Sequence, residues 1–194
     1  MKMIKALGDW EIEVLGVPYG SPEERDSDNE YFTPDTKLHE DKYGLPPVVV
    51  YHGLDKNQKP TKPEYIGRTL AYEDKADGRW YRAVLDKGNE YAAKVWEAVQ
   101  KGTAAVSSGA SHLARVATDG MIAEWPVTEL SIWDNSAGTN PQANPKAIAM
   151  PAKYQVHEHQ NQEAEQENGG AGVGDNNIDE VLITNDVPTK NKEL

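Results

Sequence analysis

Two stretches of this chain carry residues that together could transfer an acyl group. Residues 102–112 read Gly-Thr-Ala-Ala-Val-Ser-Ser-Gly-Ala-Ser-His, a small and hydroxyl-rich segment. It offers Ser107 or Ser108 as a nucleophile and the backbone amide of Gly109 as an oxyanion donor. The apolar run Pro47-Val-Val-Val-Tyr-His52 ends in an imidazole. A serine hydroxyl is a poor nucleophile until a base removes its proton, and an imidazole with an unperturbed pKa of about 6.5 can do so at neutral pH. The three residue types therefore point to a serine hydrolase, with the choice between Ser107 and Ser108 open. Each also has a plainer reading: the serines fit a polar turn, and a strand-end histidine is commonly satisfied by backbone.

The elements that must hold these residues are mostly strands. Residues 11–17 alternate, with Ile12 and Val14 on one face. Residues 47–52 have the β-branched character of a buried strand. Residues 65–72 and 79–85 flank Lys75-Ala-Asp-Gly78, a hairpin signal. Strands are also expected over 113–117 and 121–133, either side of the turn Thr118-Asp-Gly120. One helix is expected over 89–101, where apolar residues recur at Tyr91, Val95, Ala98 and Val99, with Ala92 and Trp96 widening the stripe. Asn89 suits its start, and Lys101 with Gly102 suits its end. This helix delivers the chain into the serine segment, and the sheet is expected to be mainly antiparallel.

Composition narrows the partners. The chain has 194 residues, 20 Lys and Arg against 32 Asp and Glu, a net charge of −12 and no cysteine. A nucleic-acid or anionic-membrane surface needs clustered cations, so neither is expected as a partner. Disulfides, thiolate metal sites and a cysteine nucleophile are excluded together. No apolar run approaches the roughly 20 residues of a membrane span, and the expectation is a soluble, intracellular protein without a cofactor. Charge and complexity shift near residue 151, because 151–194 carries three lysines, nine acids and one aromatic, Tyr154. Such a segment buries too little apolar surface to offset its ordering entropy. The expected organisation is a domain over 1–150 and an acidic low-complexity tail over 151–194, with a short apolar island at 178–187. His157 and His159 form an x-spaced pair without a carboxylate cluster, and no metal site is expected there.

The order of motifs resembles a known family. A Gly16-Val-Pro-Tyr-Gly-Ser21 loop with Arg25 and Asp26 comes first, then Val49-Val-Tyr-His52, Ile66-Gly-Arg68, a helix and Ser107-Ser-Gly109. Glu129-Leu-Ser-Ile132 and Asn144-Pro-Lys-Ala147 follow. This is similar to the prohead, or head maturation, serine proteases of tailed bacteriophages, which are related in fold to the herpesvirus assemblins. The chain departs from the usual pattern at Ser108, where a hydrophobic residue is common, and at Ala110, where a larger one is. The resemblance implies a mainly β fold, an antiparallel β-barrel of assemblin type with flanking helices. It implies Ser107 as nucleophile, His52 as general base and Glu129 as the acid that orients the histidine, with Ser108 and His112 as alternates.

The activity so implied is endoproteolysis of major capsid protein and scaffold segments inside assembling proheads in the host cytoplasm; self-cleavage and homo-oligomerisation are left open. Alternation over 127–133 puts Glu129, Ser131 and Trp133 on one face and Thr128, Leu130 and Ile132 on the other. A reading from a different class keeps the barrel without catalysis, as a capsid assembly or scaffolding protein whose acidic tail binds capsid subunits. A small esterase fits poorly, since no Gly-x-Ser-x-Gly elbow is present.

Overall fold

The computed structural model describes residues 10–55, 59–140 and 142–152. The readings of the tail, including His157, His159 and the island at 178–187, lie outside the described residues. Among the described residues, nine strands, two helices and a 3₁₀ turn follow in order: β1 (Glu11–Pro18), α1 (Glu40–Tyr43), β2 (Pro47–Val49), the turn Tyr51–Gly53, β3 (Tyr65–Lys75), β4 (Gly78–Leu85), α2 (Glu90–Lys101), β5 (Ala104–Ala110), β6 (Arg115–Val116), β7 (Ile122–Glu124), β8 (Val127–Asp134) and β9 (Ile148–Pro151).

Seven strands form one sheet in the order β5-β8-β2-β3-β4-β1-β9, and its two end strands, β5 and β9, approach each other. The result is a small, mainly β domain, a nearly closed but incomplete barrel with flanking helices. It is mixed rather than antiparallel throughout: β2 and β8 run parallel, Val48 beside Leu130 and Val49 beside Ser131, while the other pairs in the sheet are antiparallel. A parallel neighbour needs a long crossover, and β3, β4, α2 and β5 supply it. The sheet is thus mainly antiparallel, as expected, but not an all-antiparallel barrel: the one parallel pairing joins segments 82 residues apart.

Local chemistry accounts for most element boundaries. Lys75 pairs with Gly78 to close the β3–β4 hairpin where Asp-Gly predicted it. The Asn89 side-chain oxygen accepts the Tyr91 and Ala92 amides at 2.8 and 3.1 Å, and Gly102 ends α2 in the left-handed region at φ 71°. The buried face of α2 is Ala92, Val95, Ala98 and Val99. Tyr91, expected in that stripe, is exposed. Its position at the first turn puts the ring at the rim, beneath the Lys94 ammonium. The 121–133 strand is broken into β7 and β8 at Trp125-Pro126, since proline brings no N–H to a ladder. The 113–117 strand shrinks to the two residues of β6, and β9 was not anticipated.

The core joins Ile12, Val14 and Val17 of β1 to Val48, Ile66, Ala83, Val106, Leu130 and Ile132, with α2 packed against it. Leu130 and Ile132 are wholly buried, so one face of β8 is core as alternation required.

Candidate active site

The His52 segment is where sequence and structure differ most. β2 ends at Val49, and the chain leaves the sheet through two successive left-handed residues, Tyr51 at φ 42° and His52 at φ 54°. Such conformations cost on the order of 1–3 kcal/mol each and persist only when their surroundings hold them. Here the Gly53 amide donates to the Val50 carbonyl at 3.0 Å and the His52 amide donates to Ser131 Oγ at 2.7 Å. The imidazole is thereby carried over the sheet instead of along it.

The outer face of β8 meets that ring. His52 Nδ1 lies 2.5 Å from Glu129 Oε1, with the two side chains 30 % and 19 % exposed. The Trp133 ring is centred 6.1 Å from the imidazole, and Tyr51 sits edge-on to Trp133 at 5.1 Å. Glu129, Ser131 and Trp133, the three residues that alternation put on one face, therefore all contact the His52 segment. The contact with Glu129 engages Nδ1, so Nε2 is the ring nitrogen that can turn to a second partner.

The serines divide by strand parity. In β5, Ser107 lies opposite Ser131 and Ser108 opposite Leu130. Cross-strand partners share a face, so Ser107 is on the Glu129–Ser131–Trp133 side while Ser108 points to the core. Ser108 is buried, and its Oγ accepts the Trp125 indole N–H at 3.2 Å. Ser107 is half-buried; both serines and His52 line a cavity of about 390 Å³ along β5, so it is the strand face, not the cavity, that separates Ser107 from Ser108.

Gly109 has a role that its sequence context did not suggest. A Cβ built there would stand 2.7 Å from both Cγ and Oε1 of Glu129. The glycine is the gap through which the glutamate reaches across β5. As for backbone donors, the Val106 amide leaves the open edge of β5 for Gln142 Oε1 at 2.8 Å. Alternation then turns the Ser108 amide the same way and the Gly109 amide toward β8. Of the two amides, then, it is Ser108 N–H that points away from β8.

His112 sits exposed in the turn after β5 and does not line the cavity. Sequence reasoning missed the opposite wall, where Asp26, Asp28 and Glu30 border the same cavity. Burial, then Asp26 and Asp28, hold the Glu30 carboxyl above its ordinary range. Of these acids only Asp26 is named by the motif order, as part of the loop that follows Ser21. Asn144, within the Asn-Pro-Lys-Ala segment, also lines the cavity, and Gln142 ties that segment together by donating to the carbonyls of Asn144 and Ala147 at 2.9 and 2.5 Å. Among the described residues no group of three or more His, Asp and Glu is arranged to hold a metal ion, and no helix is long and apolar enough to cross a membrane.

Compared with protein-family models, with curated proteins and with solved structures, the chain matches none of them.

Proposed function

We propose that this chain is a serine endopeptidase in which Ser107 is the nucleophile, His52 the general base and Glu129 the orienting acid. The observation that carries the reading is the His52–Glu129 pair at 2.5 Å, set on the face that also bears Ser107. In the proposed reaction Nε2 takes the Ser107 proton as Oγ adds to a peptide carbonyl. The imidazolium, stabilised by Glu129, then protonates the departing amine, and water repeats the sequence on the acyl-enzyme. The open edge of β5 would present Ser108 N–H to the developing oxyanion.

The motif order supplies the biological setting: processing of capsid and scaffold segments inside a phage prohead within the host cytoplasm. Incubating the full chain with the major capsid and scaffold proteins of its source, followed by intact-mass analysis, tests it. Discrete cleavage that disappears with His52→Ala is expected. Stable binding to intact capsid protein, with no cleavage, would overturn the protease reading in favour of an assembly protein.

A further inference from the structure

Ser131 is wholly buried, yet its hydroxyl is spent on one backbone amide, that of His52. Two features make that bond consequential. His52 has a left-handed backbone that a non-glycine residue abandons unless held, and Ser131 stands between Glu129 and Trp133, the two side chains that meet the imidazole. The parallel register of Val49 with Ser131 brings the hydroxyl to this amide, which lies just beyond the last residue of β2.

We propose that Ser131 is a positioning residue: its Oγ clamps the left-handed turn so that the His52 ring presents Nδ1 to Glu129 and Nε2 to the Ser107 side. Without the acceptor, the amide is left unsatisfied and the turn relaxes toward negative φ, rotating the ring off the carboxylate. The inference rests on His52 being the general base, but the geometry it explains exists whether or not the site is catalytic. Misplacement of a catalytic group by about 1 Å costs on the order of 10²-fold in rate.

The test uses the full chain, Ser131→Ala and Ser131→Cys, the latter filling the same volume with a sulfur that accepts poorly. Two readouts are taken: the His52 Nδ1 proton resonance, and the rate at which a fluorophosphonate labels the protein. In labelling, serine Oγ bonds to phosphorus, fluoride leaves, and the hydroxyl proton passes to His52. The expected result is loss of the resonance and an approximately 10²-fold slower labelling in a folded variant. Should Ser131→Ala fail to fold, the cysteine variant decides. A wild-type resonance retained by either folded variant overturns the clamp. If the wild type shows the resonance but takes no label, the protease reading fails while the resonance still decides the clamp.

Discussion

Glu129 and Gly109 face each other across β5 and β8, and the glutamate's reach to His52 uses the space a side chain at Gly109 would fill. Gly109→Ala should therefore leave the barrel standing, because the three atoms nearest an added Cβ all belong to the Glu129 side chain and none to backbone, yet separate the carboxylate from the imidazole. Glu129→Gln should do the same without displacing anything, lowering turnover by on the order of 10⁴-fold, as loss of the orienting acid does in other triads. Thermal melts within a few degrees of wild type, together with loss of peptide cleavage in both variants, are the expected outcome. Normal cleavage by Glu129→Gln would remove the acid from the mechanism. At this scale the sequence was informative: alternation alone grouped Glu129 with Ser131 and Trp133, and put Leu130 and Ile132 in the core. The spacing of Ser107 and Ser108 was silent on which one faces the histidine, because that depends on a partner strand over twenty residues away.

At the scale of elements, α1 and the β3–β4 hairpin are joined by a charged network. Glu40, with its side chain 4 % exposed, accepts from Arg79 Nη1 at 2.7 Å and from the Tyr81 hydroxyl at 2.6 Å. Arg79 also binds both Asp74 oxygens at 2.7 Å. Burial and the Glu40 carboxylate push the Tyr81 hydroxyl well above its ordinary value. Arg79→Met would strand Glu40 as a buried charge, and denaturant titration should record a loss of about 3–5 kcal/mol. An unchanged midpoint would mean that the network contributes nothing. The Arg79 hydrogen bonds hold the Asp74 carboxyl below its ordinary range. Its contribution is therefore complete above the unfolded pKa of about 3.9 and fades as pH falls through the lower folded value. Arg79→Met should remove that acid-side loss.

Elements with local signals were legible beforehand: the Asn89-capped helix and the Asp-Gly hairpin lie where their turn and cap residues put them. The left-handed exit at Tyr51 and His52 was not, since no glycine or asparagine marks it ahead of Gly53 and the hydroxyl that holds it belongs to β8. Pro126 was a visible break in the 121–133 run, and its chemistry outweighed the apolar periodicity that suggested one long strand. Four-residue β9 carries too short a pattern to stand out, and it is defined by pairing with β1.

For the molecule as a whole, the described residues fall within one unit, Met1–Gln155. A chain ended at Gln155 should keep the circular dichroism and thermal midpoint of the full protein, because the sheet and both helices lie inside it. A drop of many degrees would assign residues 156–194 a stabilising role. The barrel's incomplete closure leaves β5 with an open edge beside the cavity, and the chemistry proposed for this protein lies along that edge. The central claim is that Ser107 is activated by His52. Peptide mapping of the fluorophosphonate-treated full chain tests it most directly. The account predicts one adduct, on Ser107, formed by the wild type and by Ser108→Ala at similar rates and absent from Ser107→Ala and His52→Ala. An adduct on Ser108, or none on the folded wild-type protein, would contradict it.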